Sequence, residues 1–416
     1  MKTPGERSPS ARKLGWAATA LVAAGTLAAA HADTVTEWNI KAGEILHDAR
    51  MGTPPANRAM AIVHTAVYEA TNAITQRYAH PGALVRGAAP GASLDAASAA
   101  ASRGTLLKLA PSQQAGIDKA YQAALAAIGD DAAKAAGIAV GERAAAAVLA
   151  LSAQDGAAGG ESYRPHTTAG QYVPTALPAA PQWPQRKPWL MQSPAQFRPG
   201  PPPALSSEVW ARDYNEIKAL GAKAGSRRTA EQTAIASFWD YSAPPIYHGL
   251  VRSVAHQPGR ELTQNARLFA AVTQAVDDAT VAVFDAKYHY NFWRPQTAIR
   301  NGDIDGNDAT DRDAAWLPFI DTPMHPEYPC AHCTLSGAVG AVLQAELGTR
   351  PVPTLSTTSP TANGAMRSWS TVADFMQEVA LARIYDGVHY RNSTVVGTAL
   401  GQQVGELAAA KYLRQP

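Results

Sequence analysis

Apolar side chains recur at helical spacing along most of the chain. In residues 57–75, Ile62, Ala66 and Ala70 fall on one face of a helix, and the Ala- and Leu-rich residues 91–155 continue the pattern. Further helices are predicted at 206–224, 230–239, 266–293, 333–347, 371–385 and 395–413. Because alternating strand patterns bounded by hairpin turns are absent, we expect an all-α helical bundle.

Residues 164–203 interrupt this helical pattern. The segment contains eleven prolines in forty residues, a density that neither a helix nor a central strand accommodates. We expect a long crossing that wraps around the helical body. Its aromatic residues Trp183, Trp189 and Phe197 either anchor the crossing to the bundle or form the wall of a substrate cleft.

The first 32 residues have the layout of a secretory signal peptide. Four basic residues precede the apolar run 14–29, and Ala30-His31-Ala32 supplies a small-residue cleavage site before Asp33. The apolar run is short for a spanning helix, and we expect no later segment to span a membrane. The sequence therefore predicts a secreted or periplasmic protein without a stable membrane anchor.

Composition and charge are those of a globular protein. The chain is 46% hydrophobic and 17% charged, and residues 33–416 hold 32 Lys and Arg against 33 Asp and Glu. A nearly neutral chain gives no electrostatic argument for nucleic acid as a partner. We expect one all-helical domain over 33–416, with N-terminal helices in 33–163, the Pro-rich crossing in 164–203 and an active-site bundle in 204–416.

A first candidate for chemistry is the segment from Lys287 to Pro295. Seven residues separate Lys287 from Arg294, which on one helix corresponds to two turns and nearly the same face. Two cations on one stripe can hold one anion, whereas a solvated basic face is the simpler alternative. Phe292 and Trp293 beside the arginine favour a buried position, with Pro295 ending the helix.

A second candidate is the turn from His325 to Thr334, which leads into an apolar helix that begins near Leu335. A turn of small residues entering a helix directs backbone N–H groups and the positive end of the helix dipole toward a bound oxyanion. His332 would lie beside that anion. A helix cap or a packed residue is the alternative role for a lone histidine here.

A third candidate runs from Arg383 to Ser393. Gly387 lies between Arg383 and His389 and can break or bend a helix, which would let the two side chains converge across their six-residue separation. A charged helix end with a C-terminal glycine is the alternative interpretation.

The three segments follow the order Lys-x6-Arg-Pro, then Pro-x-x-His, then Arg-x5-His. In this order the chain resembles the superfamily that joins type 2 phosphatidic acid phosphatases to vanadium-dependent haloperoxidases. The flanking sequences 59–73 and His325-Pro-Glu-Tyr-Pro329 resemble bacterial haloperoxidase homologues. The resemblance runs in patches from about Trp38 to the C-terminus, and it implies the helical bundle of these enzymes.

The resemblance also implies a role for each candidate side chain. His389 would be the vanadium-bound histidine, or the nucleophile that becomes phosphohistidine in the phosphatases, and His332 would be the general acid/base facing it. The negative oxygens of vanadate or phosphate would be balanced by three cations, Lys287, Arg294 and Arg383. Ser393 stands where many members carry an acidic residue, so the group that orients His389 is not identified by the resemblance.

Cofactor and substrates follow from the same resemblance. A haloperoxidase would hold vanadate and act on hydrogen peroxide and halide, whereas a phosphatase would need no cofactor and would act on a phosphate ester. Cys330 and Ala331 would form the turn that seats the oxyanion. His325 lies seven residues before His332, where bromide-oxidising members also carry histidine, and is a candidate for a halide or substrate pocket. A homo-oligomer is compatible with either activity.

The Cys330-Ala331 pair departs from the Ser-Gly of the family. A thiol is a poorer hydrogen-bond partner than a hydroxyl, and the methyl group of Ala331 crowds a turn where glycine permits a close approach, so both changes weaken the seat. Cys330 and Cys333 could form a disulfide. Alternatively, Cys330 could be a reactive thiol of lowered pKa, or both cysteines could join His332 and His325 in a zinc site.

Three functions are therefore open at this point. The preferred one is a vanadium-dependent haloperoxidase, and the second is a secreted acid phosphatase with His389 as nucleophile and His332 as leaving-group acid. The third is a binding or scaffold protein that kept the fold and lost catalysis, a hypothesis motivated by Cys330-Ala331.

Overall fold

A computed structural model describes Met1 and residues 33–79 and 82–413, and this part of the chain contains thirteen α-helices. The predicted signal peptide, apart from Met1, lies outside the described residues. The helices are α1 (Thr34–Asp48), α2 (Thr53–Thr75), α3 (Leu94–Leu109), α4 (Gln114–Ala126), α5 (Ala132–Ser152), α6 (Glu208–Leu220), α7 (Ala230–Trp239), α8 (Pro244–Ala255), α9 (Leu262–Tyr290), α10 (Pro295–Arg300), α11 (Ala331–Leu347), α12 (Val372–Tyr385) and α13 (Arg391–Tyr412).

Helix α9 is the central element of the bundle. It is buried along nearly its whole length, and its buried carboxylates Asp277 and Asp278 accept hydrogen bonds from the Pro-rich crossing. One continuous core joins Ile62 of α2, Phe269 of α9, Leu343 of α11 and Val404 of α13. The N-terminal and C-terminal helices therefore share a core, and the predicted all-helical bundle is confirmed.

Glycines allow α11 and α13 to pack closely. A Cβ atom at Gly401 would lie 1.9 Å from the carbonyl oxygen of Thr334, and one at Gly397 would lie 2.5 Å from that of Cys330. Such distances exclude any side chain, so the two backbones touch. Because Gly397 stands in the second turn of α13, this contact holds the start of α13 against the turn that precedes α11.

Helix α5 is, among the described helices, the one that is long and apolar enough to cross a membrane by length and composition. The expectation that no segment after the predicted signal peptide is long and apolar enough to span a membrane is therefore wrong. Its contacts are those of a bundle helix: Cβ atoms at Gly137 and Gly141 would lie 2.3 Å from the carbonyl oxygens of Ser93 and Ala97, at the start of α3. A high alanine content accounts for its hydropathy.

Two short strands form an antiparallel hairpin, β1 (Leu355–Ser359) and β2 (Ala365–Trp369), with Leu355 opposite Trp369. This short hairpin leaves the predicted all-helical class unchanged. Asn363 and Gly364, with φ of 53° and 77°, supply the left-handed turn between the strands. An Asn-Gly pair beside a Ser- and Thr-rich run was the sequence signal for this hairpin.

The Pro-rich crossing is anchored to α9 by its aromatic residues. The indole N–H of Trp189 donates to Asp277 at 2.8 Å, and Trp183 is buried under the guanidinium of Arg186, 5.0 Å from its ring. Arg186 in turn pairs with Asp277 at 2.6 Å and with Asp155 at 2.8 Å. Of the two roles open for these tryptophans, anchoring is therefore confirmed.

Another part of the crossing lies against the link between α9 and α10. The N–H of Tyr172 donates to the carbonyl of Asn291 at 2.7 Å, and that of Trp293 donates to Gly170 at 3.0 Å. Further along, the N–H of Ala179 donates to Met324 at 2.6 Å. These backbone hydrogen bonds hold the crossing against the chain segments that carry the candidate site residues.

Candidate active site

Lys287 and Arg294 lie on different elements. Lys287 is in the last turn of α9, which ends at Tyr290, and Arg294 is the N-cap of α10. Asn291 between them has a left-handed φ of 49°. The prediction that both cations share one helix ending at Pro295 is wrong, because Pro295 begins α10, where its fixed φ suits a first helical position.

Lys287 connects α9 to the turn before α11. Its ammonium is fully buried and donates to the carbonyl oxygens of Pro326, at 2.9 Å, and Glu327, at 2.7 Å. Burial lowers the pKa of Lys287 well below its usual value, and the neighbouring Arg294 and Arg383 lower it further. An anion bound between these cations would restore the charged form.

Arg294 joins the second and third candidate segments. Its Nε donates to the carbonyl of His325 at 2.9 Å, and its Nη2 lies 2.9 Å from His325 Nδ1. Its Nη1 donates to the carbonyl of Val388 at 2.9 Å and lies 3.3 Å from His389 Nε2. Burial lowers the pKa of Arg294 to about 10, and the charge of Glu327 opposes this shift.

The contacts of His389 define its tautomer. A guanidinium has donors only, so the ring nitrogen facing Arg294, Nε2, carries a lone pair and the proton resides on Nδ1. That proton is donated to Oε1 of Glu327 at 2.7 Å, which also accepts the N–H of Tyr390 at 3.1 Å. Glu327 therefore orients His389. The sequence analysis had no candidate for this role, because Ser393 stands where many family members carry an acidic residue.

Burial shifts the pKa values of both His389 and Glu327. It lowers the pKa of His389, as do the charges of Arg294, Lys287 and Arg383, so the imidazole is neutral. It raises the pKa of Glu327 to about 7, against the pull of Lys287 and Arg294. Glu327 lies inside a motif that the sequence analysis quoted, and a carboxylate in an otherwise apolar turn between two candidate histidines was the available signal.

His332 is the second residue of α11, whose N-cap is Cys330. The helix therefore begins four residues before the predicted start near Leu335. The ring of His332 hydrogen-bonds the backbone of Tyr241, while its Nε2 is buried without a partner. Burial and the charges of Arg383, Lys287 and Arg294 lower its pKa, so His332 is a neutral base with a free nitrogen.

The side chain of Arg383 lies near His389 because the chain reverses its direction at Gly387. Gly387 has a φ of 80°, and the N–H of His389 returns to the carbonyl of Arg383 at 3.2 Å, which confirms the predicted break. The guanidinium of Arg383 donates from Nη1 to the carbonyl of Trp239 at 2.8 Å and pairs with Asp386 at 2.6 Å. Its Nε is buried without a partner.

Cys330 and Cys333 form a disulfide across the first turn of α11, with their Cα atoms 5.4 Å apart. Both residues are fully buried, and Cys330 Sγ accepts the N–H of Cys333 at 3.1 Å. The alternatives of a reactive thiol and of a zinc site are wrong, since neither thiol is free and the described residues include no metal-binding group of His, Cys, Asp and Glu.

The site as a whole suits a tetrahedral oxyanion. Three buried cations converge on two neutral histidines, and the first N–H groups of a helix have no partner within it. Arg383 Nε and His332 Nε2 are among the buried atoms here that have no hydrogen-bond partner, together with carboxylate oxygens of Glu327 and Asp386. Buried polar atoms are nearly always paired in folded proteins, so Arg383 Nε and His332 Nε2 fit the oxygens of a bound anion. His325 lies next to the cluster through its contact with Arg294.

Comparison with known proteins identifies relatives of the site-bearing half. A family model described as VCPO second helical-bundle domain matches residues 267–415. Vanadium chloroperoxidase of Curvularia inaequalis is 30% identical over 176 residues, which cover 34% of this chain and 28% of that protein. The chain thus aligns with little more than a quarter of the length of this relative.

Solved structures share the fold over nearly the whole chain. A bacterial vanadium-dependent iodoperoxidase superposes with a TM-score of 0.77 at 22% identity, covering 91% of this chain and 96% of that one. The holo form of a bacterial vanadium-dependent chloroperoxidase superposes with a TM-score of 0.69 at 18% identity, covering 87% and 93%. Both the N-terminal helices and the site-bearing bundle therefore belong to this fold.

Proposed function

We propose that the chain is a vanadate-dependent haloperoxidase that oxidises halide with hydrogen peroxide, which its similarity to vanadium-dependent haloperoxidases in sequence and fold supports. The observation that carries this proposal is the state of His389. Its Nδ1 proton is fixed by Glu327, which leaves Nε2 with a lone pair directed at the cationic cluster. A histidine held by a carboxylate in this way is the usual form of a metal ligand.

Each side chain then has a defined task. Vanadate, when bound, would supply a Lewis-acid centre that activates hydrogen peroxide toward halide. His389 Nε2 would hold it, and its negative oxygens would be stabilised by Lys287, Arg294 and Arg383. His332 Nε2, neutral and unpaired, would take up a proton from hydrogen peroxide and return it to the departing water.

The halide we propose is bromide, on the basis of His325. This partly buried ring lies tilted against Phe284 at a centroid distance of 5.2 Å, and Arg294 Nη2 is 2.9 Å from its Nδ1. A halide near this ring would have an apolar wall and a cation beside it, which favours a large, weakly hydrated anion. Rates with iodide, bromide and chloride test this assignment, and a rate higher with chloride than with bromide contradicts it.

The activity is tested by adding vanadate to protein purified without phosphate, then supplying hydrogen peroxide and bromide with a phenol dye as acceptor. We expect halogenation that saturates with vanadate and is abolished in His389→Ala, whereas His166→Ala, an exposed histidine of the crossing, retains it. No halogenation at any vanadate concentration rules the proposal out. Hydrolysis of a phosphate ester that vanadate inhibits, and that His389→Ala loses, would indicate a phosphatase instead.

For location we propose export, with a mature chain that begins at Asp33. The basic and apolar layout of residues 1–32 supports this, and so does the Cys330–Cys333 disulfide, since such bonds persist in oxidising compartments. N-terminal sequencing of the protein from the periplasm or medium tests it. A cytoplasmic protein that keeps residues 1–32 contradicts it.

A further inference from the structure

A cavity adjoins the candidate active site. It has a volume of about 180 Å³ and lies between the Pro-rich crossing and α10. Tyr172 and Thr175 line it from the crossing, Thr297 and Arg300 line it from α10, and Arg294 belongs both to its wall and to the active site. About six water molecules would fill this volume, so it can hold a small organic molecule.

The wall of this cavity is positively charged. It contains two arginines, Arg294 and Arg300, and neither Asp nor Glu. The Nε of Arg300 donates to the carbonyl of Trp316 at 2.9 Å, and no carboxylate of the described chain pairs with its terminal nitrogens. The hydrogen-bond partners of Arg294 are likewise backbone carbonyl groups and histidine rings. A cavity whose wall holds two guanidinium groups and no carboxylate favours anions.

Tyr172, which lines the same cavity, has a hydroxyl group without a hydrogen-bond partner. Its side chain is 2% exposed. The backbone at this position is held in place, since the N–H of Tyr172 donates to Asn291. A buried hydroxyl without a partner, on a fixed backbone and in the wall of a polar cavity, indicates a missing polar ligand.

We propose that this cavity binds the carboxylate of a small organic acid and so positions an acceptor beside the active site. A carboxylate presents two coplanar acceptors that match the fork of Arg300, and the hydroxyl of Tyr172 is a further donor. The remaining volume accommodates one aromatic ring. Anion binding here is independent of the reaction catalysed, whereas the role of the bound acid as halogen acceptor rests on the proposed function.

Calorimetric titration of the full chain with benzoate, with and without saturating vanadate, tests the binding step. We expect benzoate to bind in both conditions and Arg300→Gln to weaken it at least tenfold, because a charged hydrogen bond is lost. Tyr172→Phe should weaken it by a smaller factor. Arg143→Gln removes the same charge from an exposed position of α5, so it serves as the matched control.

Three results overturn the proposal. The first is equal affinity of Arg300→Gln and the unaltered protein for benzoate, and the second is the lack of any benzoate binding. The third is an Arg300-dependent site that prefers inorganic phosphate to benzoate, which would exclude a carboxylate as its ligand.

A kinetic comparison tests the role of the bound acid. Halogenation of 4-hydroxybenzoate by hypohalous acid replaces a ring C–H bond by a carbon–halogen bond and releases water, and its methyl ester reacts in the same way without the charge. We expect Arg300→Gln to raise KM for the acid alone and to leave kcat unchanged. An equal rise for acid and ester overturns the acceptor role. Lack of halogenation by every form contradicts the proposed function only, and the benzoate titration then decides the binding site.

Discussion

At the scale of single residues, the site depends on which group can donate and which can accept. Arg294 has donors only, and this fixes the lone pair of His389 Nε2. Glu327 completes the arrangement by accepting the Nδ1 proton of His389. Thus the reactive nitrogen of His389 is set by two neighbours that come from separate parts of the chain.

Replacing Glu327 tests this arrangement. In Glu327→Gln the negative acceptor behind His389 is lost, and we expect the affinity for vanadate to fall by about 10- to 100-fold, as is typical for groups that hold a metal ligand. Equilibrium dialysis against vanadate measures it. Glu142→Gln, at an exposed position of α5, is the control. Unchanged affinity in Glu327→Gln would show that another group orients His389.

The residues at the site differ in how far sequence reasoning could find them. Three spaced motifs predicted five of the site residues, and the structure places these five side chains in one cluster: Lys287, Arg294, His332, Arg383 and His389. Glu327 and Asp386 were missed as partners, because a carboxylate is recognised as a partner only when its neighbour in space is known. Lys287 and Arg294 were assigned to one helix because the spacing alone cannot reveal the left-handed residue between them.

At the scale of elements, close contact between α11 and α13 connects the two histidines. His332 lies in the first turn of α11, and His389 lies two residues before α13. The glycines of α13 let its backbone touch the turn at Cys330, so the two helix starts have a fixed separation. A side chain at this contact would move one histidine relative to the other.

Gly397→Ala tests this contact. The added methyl group would lie 2.5 Å from the carbonyl oxygen of Cys330, and we expect a loss of about 1–3 kcal/mol in the free energy of unfolding, together with weaker vanadate binding. Denaturant unfolding measures the first effect. Gly116→Ala in α4 is the matched control, because its methyl group would meet nothing within 4 Å, and a gain of about 0.4–1 kcal/mol is expected there. Equal effects of both changes would refute the argument.

The disulfide at the start of α11 gives a second test at this scale. In Cys330→Ser with Cys333→Ala, the serine can still cap the helix, but the cross-link is lost. A loop this short constrains the unfolded chain modestly, so we expect a loss of about 2 kcal/mol of stability. Vanadate affinity should be retained or should rise, since a hydroxyl is the better hydrogen-bonding group. A loss of affinity of tenfold or more would mean that the disulfide itself holds the anion seat.

At the scale of the whole molecule, burial of ionisable groups governs how stability depends on pH. Burial lowers the pKa of five histidines, His64, His248, His325, His332 and His389. It raises the pKa of three carboxyl groups, Asp278, Glu327 and Asp386, to about 7. The histidines bind protons mainly in the unfolded chain, and the carboxyl groups bind them mainly in the folded one.

Stability without bound anion should therefore fall as the pH drops below about 6.5, the unfolded pKa of histidine. The carboxyl groups act in the opposite direction between about pH 4 and 7, but the histidines outnumber them. Thermal unfolding from pH 5 to 8 measures the slope. His64→Gln should reduce it by about 1.4 kcal/mol per pH unit, one proton, whereas the exposed His166→Gln should not. A slope of opposite sign would contradict this balance.

The sequence by itself determined the helical class, the Pro-rich crossing and the five charged or ionisable side chains, because helical periodicity, proline density and motif spacing are local properties of the chain. Only the tertiary structure decided how those side chains meet. The Glu327–His389 bond, the α11–α13 contact and the cavity at Arg300 all join residues far apart in sequence. Their energies depend on burial and on donor geometry, which exist only after the helices have packed.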